Sequence, residues 1–590
     1  MTLIAGIVSR TRDHKLPQDI CKSVTDSISR NGNDEIKVFE GSHSYLIKVD
    51  IGAFSEPGYY RAADGSVSLL AGEPLLLEED DPLRSRLDDL TSIHQSASRQ
   101  WDILKKAQGV FCAVHYQPAT GVLNLIADKL SLRPLYYCID DKLIVFASAL
   151  RILESIPALP KAMDLRAVTE IVCLGVPLAE RTPYTNISVL NPAEILEVSA
   201  TTIARHRYWC WNAIETSGAS EKENLSEAYK RFQSAVGRRK RKDCGTIAYL
   251  SGGLDSRCVV AALRSQHAAV NTFNFALPGT QDQIFGNDFA TKIHSTHTTI
   301  PKEEGDQTPD YSTILSRALS ARSFRFDQQV ERPFLVWSGE GGSVSLGHVH
   351  MNQAIVDFMR AGEIDAAIDE FFRRESVYLP PKLFTAQTFD SLSGLVREGI
   401  KSELNRLDHS DPARNFYLFL MFNDQRRKLF THFEEIDLHR LEYQLPFFDS
   451  AFLALVVSLP IELCLYHRFY TRWLAQFQVE VTSVPWQVYP GHEPCPVPLP
   501  EGLAYQWDRN HQHAQRTAQK QRIMKQASAL LAADSFPHWL LHKRNLRLAV
   551  WVHSTGLRDY GHIIRAAQIY DTYLKRSDGK YFLSDGMIGK

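Results

Sequence analysis

The stretch TIAYLSGGLDSRCVV, residues 246–260, decides how the chain is read. A run of strand character ends in Ser-Gly-Gly, and a helix-like stretch begins at Asp255 and Ser256. Gly252 and Gly253 can adopt backbone conformations closed to other residues, which lets main-chain N–H groups approach a ligand. The helix that follows adds the positive end of its dipole, so the turn is suited to an anion. Ser251 and Ser256 can donate hydroxyl hydrogen bonds. Asp255 would repel phosphate, and its chemistry points instead to Mg²⁺ held beside the phosphates. The chain contains no G-x-x-x-x-G-K-[ST], so this is not a Walker loop.

Working outward, a helical stretch near 224–240 precedes this strand, and a helix near 256–266 follows it. The strand VNTFNFAL and a helix near 284–294 come next. Alternating β and α at this spacing predicts a parallel α/β sheet. Residues 351–480 read as mostly helical, 484–500 as proline-rich and irregular, and the remainder again as helix-like. The first 200 residues differ. Short alternating runs such as SYLIKVDIGAF, GVFCAVHYQ and AEILEVSA, separated by Gly, Pro and Asp turns, predict antiparallel sheets, with helices confined to 17–30 and 97–107. The polar stretch 214–228 reads as a linker, giving domains 1–213 and 214–590.

Composition excludes several classes. Hydrophobic content of 44%, charged content of 23% and a net charge of −2 are those of a soluble globular protein, with no field calling for nucleic acid or a membrane surface. The longest apolar run, 451–466, is interrupted and too short to span a bilayer, and the first residues lack a signal peptide's basic region. The 9 cysteines are scattered without C-x-x-C, which predicts reduced thiols and a cytoplasmic location. The basic run RRKRK at 238–242 is read as cations at a helix C-terminus, opposing its negative dipole end.

The hexapeptide SGGLDS after an apolar strand resembles the PP-loop of ATP pyrophosphatases, and further segments narrow the resemblance to asparagine synthetases. MTLIAGIV resembles the family start Met-Cys-Gly-Ile, SRNGND at 29–34 stands where the family has Arg-Gly-Pro-Asp, and LIADKLSLRPLYY at 125–137 resembles ARDRLGIKPLYY. VLNPAEILEV, SGEGG at 338–342 and LEYQLPFFD at 441–449 follow in the family's order. The resemblance implies an Ntn-hydrolase-like antiparallel β-sandwich followed by a PP-loop domain with a helical extension. It implies ATP and Mg²⁺ as cofactors, with a carboxylate substrate (amino acid or peptide) adenylated for attack by ammonia or an amine. A homodimer is one assembly it suggests. It assigns nucleotide contacts to Leu250, Ser251, Gly252, Gly253, Asp255, Ser256, Phe275 and Gly339, metal binding to Asp255 and Asp282, and catalysis to Asp255, Glu340 and Glu442.

The chain also departs from the family. Thr2 stands at the position of the nucleophilic cysteine, and a hydroxyl is the weaker nucleophile there. Asn-Gly-Glu becomes Ala71-Gly72-Glu73, losing a side chain that would bond substrate or oxyanion. Both changes predict little or no glutaminase activity, as in β-lactam synthetases and lasso-peptide cyclases. Ser343 replaces a metal-binding aspartate. The late family lysine has no clear match, leaving Arg440, His492, Lys520 and Lys525 as replacements. The expected function is ATP-dependent amide formation. A glutamine-hydrolysing asparagine synthetase and a nucleotide-binding pseudoenzyme are the alternatives.

Overall fold

A computed structural model describes residues 2–11, 14–76, 84–97, 101–300, 315, 329–503, 513–583 and 587–589. Two six-stranded antiparallel sheets form the N-terminal half. They face each other across a core that includes Ile4, Val8, Leu46, Leu69, Val114, Leu125, Phe146 and Leu196. The first strand, Thr2–Ser9, lies inside its sheet between Ser44–Asp50 and Leu143–Ala147. Its alternation splits its side chains. Ile4 and Val8 enter the inter-sheet core, while Leu3, Ala5 and Ile7 pack in a second core with the helix Gln18–Ile28.

The expected helix at 97–107 lies elsewhere. An α-helix spans Arg86–Ser96, opened by a capping box in which Ser85 and Asp88 satisfy each other's backbone N–H. Trp101 then takes a left-handed backbone (φ 62°), and only a short 3₁₀ turn, Asp102–Lys106, follows. The expected linker 214–228 is also shorter. A second capping box, Ser220 with Glu223, starts a helix running Glu221–Lys240.

The C-terminal half carries a five-stranded parallel sheet. Its order is Thr296–Thr299, Ala269–Asn274, Gly245–Tyr249, Leu335–Trp337, Glu442–Gln444. Helices from Gln353–Arg360 to Arg468–Leu474 pack beyond it. The helix predicted through RRKRK ends at Lys240, as expected. Arg239 is buried, and the arginines of this run are held by acids of other elements. Arg238 and Arg239 both donate to Asp449, at 2.5 and 2.7 Å, and Arg241 pairs with Glu73 at 2.8 Å.

The two halves are joined by several ion pairs. Arg30 makes a two-pronged contact with Asp437, at 2.9 and 2.7 Å, and Arg440 reaches Asp34 at 2.5 Å. Near the end of the chain, Tyr581–Leu583 pairs in parallel with Met163–Asp164, so the C-terminal helices close back onto the N-terminal half. Among the described residues no single helix is long and apolar enough to cross a membrane. The bent pair Ser450–Ser458 and Ile461–Leu474, which meet at 111°, lies largely buried in the core.

Candidate functional site

The parallel sheet places its central crevice at the carboxyl ends of Gly245–Tyr249 and Leu335–Trp337. From Gly245–Tyr249 the chain runs to one side through Ala269–Asn274 and Thr296–Thr299, then returns to the other through Leu335–Trp337. Open α/β sheets bind ligands where the strand order reverses in this way. Both glycine loops singled out in the sequence sit there.

The first loop is held by its own hydroxyls. Ser251 N–H donates to Ser256 Oγ at 3.0 Å, and Gly253 N–H donates to Ser251 Oγ at 3.2 Å. Gly252 N–H donates to Asp282 Oδ1 at 2.7 Å. Glycine is required at 252, because a Cβ would stand 2.8 Å from the Asp282 Cα and the Gln281 carbonyl oxygen. The helix Asp255–Ser265 starts without a side-chain cap, so its dipole end faces the crevice.

The second loop, 338–342, fits against the first through its glycines. A Cβ on Gly339 would lie 2.4 Å from Ser256 N, and Gly341 takes φ +92° beneath the Phe448 ring. Ser343 then closes on Asp255. Its N–H donates to Oδ2 at 2.9 Å and its hydroxyl to Oδ1 at 3.0 Å, while Tyr470 donates to Oδ1 at 2.7 Å. Burial raises the Asp255 pKa, and these three donors oppose the rise. Asp255 therefore joins the two loops. Asp282, the other expected metal ligand, clamps the first loop through Gly252.

The irregular segment after 484 forms the third wall. Buried Arg257 donates to the carbonyls of Val481, Val484 and Pro485 at 2.9, 2.7 and 2.7 Å, and Gln487 N–H donates to Gly252 O at 3.0 Å. The cleft between these walls has a volume of about 390 Å³. Tyr249, Phe273, Phe275 and Tyr443 give it aromatic surface, and Leu250, Ser251, Gly253, Ser256, Gly339 and Glu340 also line it. Glu340 is exposed at the cavity's edge, where the neighbouring protein and then the Asp255 charge raise its pKa.

His467 and His492 face the cavity joined Nδ1 to Nδ1 at 2.6 Å. His492 is one of the candidates to replace the family lysine. His467 and Tyr470 were not legible, because they come from a helical region with no local motif. The charged residues among the described lining are Asp255, Asp282, Glu340 and Glu493, with no lysine or arginine. Among the described residues no three His, Cys, Asp or Glu side chains converge on a metal site; Asp255 and Asp282 are the lining carboxylates that could share one ion with a bound phosphate.

Other predicted residues lie away from the cavity. Glu442 is fully buried and bonded to Arg133 of the N-terminal half. Arg440 is held by Asp34. Lys520 donates to the Ser554 carbonyl, and Lys525 is exposed on the same C-terminal helix. Thr2 opens its strand opposite Asp50 in register, and Ala71 is buried opposite Cys112. Beside them Arg86, wholly buried, donates to Gly72 O at 2.9 Å and Glu56 O at 2.7 Å. Lys48 donates to Leu70 O at 2.9 Å, and burial depresses its pKa to about 7. Glu73 reaches the other half, accepting from Gln444 at 2.8 Å.

Comparison with known proteins agrees with this two-part layout. Residues 76–209 match the glutamine amidotransferase domain, and 227–338 match asparagine synthase. Asparagine synthetase [glutamine-hydrolyzing] 3 of Bacillus subtilis is 25% identical over 256 residues, which cover 40% of this chain and 41% of the relative. A putative asparagine synthetase [glutamine-hydrolyzing] 2 of Methanocaldococcus jannaschii is 24% identical over 335 residues, 54% of this chain and 62% of the relative. The matches thus span roughly half of these relatives' length. One solved structure, of the allosteric regulatory enzyme of purine biosynthesis, aligns over 57% of this chain and 74% of its own at 10% identity and a TM-score of 0.25, a superposition too loose to inform the fold. With both domain matches in this order, the chain is similar to asparagine synthetases, a glutamine amidotransferase-like region followed by an asparagine synthase-like region.

Proposed function

We propose that the chain is an ATP-dependent ligase forming C–N bonds, which adenylates a carboxylate and passes its acyl group to ammonia or a substrate amine. The observation that carries this reading is the junction of the two glycine loops through Asp255 and Ser343, at the switch point of a parallel sheet. The uncapped helix start and the hydroxyls of Ser251 and Ser256 suit the phosphates of ATP. Tyr249, Phe273 and Phe275 offer flat apolar surface for a base. Asp255 and Asp282 would hold Mg²⁺, which would neutralise phosphate charge. Glu340, with its raised pKa, is suited to take the proton that the attacking amine must lose. Amino acids and peptides are the carboxylate classes we put forward, in a cytoplasmic enzyme, a location that nine free cysteines favour.

We further propose that the N-terminal domain releases little or no ammonia from glutamine. Thr2 and Ala71 support this, as do the buried Arg86 and Lys48 beside them. The test is production of AMP and pyrophosphate across a panel of carboxylates, with product masses recorded and glutamate release from glutamine measured alongside. Turnover that survives Asp255→Ala would refute the site, and brisk glutamine hydrolysis would refute the reading of the N-terminal domain. The engagement of both Asp255 oxygens by protein donors favours one second reading, a nucleotide-binding protein without turnover. ATP binding without product for any acid would select it.

A further inference from the structure

A cavity meant for a triphosphate is lined here by four carboxylates and, among its described residues, by no lysine or arginine. A divalent ion offsets only part of that charge. The remaining groups able to become cationic are His467 and His492, held Nδ1 to Nδ1 at 2.6 Å. The neutral pair already holds two protons, one shared across that contact and one on an Nε2, so a proton taken up leaves both Nε2 atoms protonated. His467 Nε2 is buried without a hydrogen-bond partner, and the ring is only 3% exposed. The ring fills the space beside Gly347, where a Cβ would stand 2.4 Å from His467 Nε2 and 2.8 Å from Ser343 O. The pair thus sits behind the turn that bonds Asp255.

We propose that the His467–His492 pair is the proton-linked cationic element of this nucleotide site, taking up a proton when ATP binds. The inference rests on the nucleotide reading above. In the free protein the pair is neutral at neutral pH. Burial, then the neighbouring His492, depress His467 to about 3, and burial followed by Arg374 lowers His492. The other groups facing the pair are the rings of Tyr466, Tyr470 and Tyr489, with Glu493 and its ion-pair partner Arg468 at 3.7 Å. His348 feels His467 from the stretch after Gly342–Ser345. Glu340 and Asp255 line the same cavity. None of these supplies a fixed cation inside the cavity, so an incoming polyanion stabilises the protonated pair directly.

The experiment is calorimetric titration of the full chain with Mg·ATP between pH 6.0 and 8.5, in two buffers of different ionisation enthalpy, with His492→Gln measured in parallel. Glutamine can still bond His467 but cannot titrate. The terminal phosphate of ATP titrates in the same range, so the readout is wild type minus variant. The expected result is uptake of roughly one extra proton by the wild type near neutrality. Its affinity should fall by about tenfold per pH unit on the alkaline side, a slope the variant lacks. ATP binding with equal proton uptake in both proteins, or with the same pH profile, overturns the inference and leaves the nucleotide site standing. Failure of the wild type to bind ATP at any pH overturns both.

Discussion

A Cβ on Gly342 would stand 2.5 Å from Cγ of Asp255, the carboxylate that Ser343 clasps with its N–H and its hydroxyl. The contact is backbone against side chain, with Tyr470 closing the third side. These contacts fasten the second loop to the first.

Gly342→Ala should therefore separate the loops while leaving the fold in place. Overpacking of this kind costs about 1–3 kcal/mol, and displacing a positioned loop by about 1 Å lowers turnover about a hundredfold. Steady-state AMP production and a thermal melt check both. Unchanged turnover would show that the two loops do not act together.

Ser343→Asp restores the carboxylate found in the family but places it against Asp255. Two carboxylates at that spacing repel, and Asp255 loses a hydroxyl donor, a change of about 1–3 kcal/mol. The variant should melt at a lower temperature than the wild type without metal, and Mg²⁺ should restore more of the loss than it adds to the wild type. A melt indifferent to Mg²⁺ would argue against a divalent ion beside Asp255.

Glu442 and Arg133 form a buried pair across the two halves. Removing one charge strands the other, at a cost of about 3–5 kcal/mol, whereas replacing both with apolar groups is close to neutral. Glu442→Leu should be strongly destabilised in urea, and Glu442→Leu with Arg133→Met should recover most of that loss. Since Glu442 does not line the cavity, the double variant should retain ATP affinity.

A polar chain inside the first domain predicts acid sensitivity. Ser68 Oγ contacts His94 Nδ1 at 2.9 Å and His115 Nδ1 at 3.0 Å, and Ser66 Oγ meets His94 Nε2 at 3.1 Å. Burial lowers both histidines, His115 to about 4. The unfolded chain, with an ordinary histidine pKa near 6.5, binds more protons below that pH. The stabilisation is complete above pH 6.5 and is lost as pH falls. From His115 alone about 2 kcal/mol should disappear between pH 6.5 and 5. Urea midpoints across that window measure it, and His115→Gln should flatten the slope.

Much of the candidate site was legible because its logic is local. Gly252, Gly339 and Gly342 are each demanded by an atom under 3 Å from where a Cβ would sit, and such glycines leave a motif in the sequence. Strand alternation likewise gave both sheet types. Tyr470's bond to Asp255 and Arg257's hold on 481–485 were not legible, since each joins chain segments about 200 residues apart, and His467 sits in a helical region with no local motif. RRKRK was read correctly as cations at a helix C-terminus, but its partners Asp449 and Glu73 lie too far along the chain to be read from it. The helix predicted at 97–107 missed the stronger local signal, the Ser85–Asp88 capping box.

The short pairing of Tyr581–Leu583 with Met163–Asp164 has its own consequence. It turns a two-domain chain into a closed circuit, in which the segment latest in sequence is fastened to the first half. Any opening of the inter-domain seam must first undo that clasp. Heat or denaturant should meet one cooperative body rather than two beads on a tether, and a cut between the halves would orphan the strand as well as the seam.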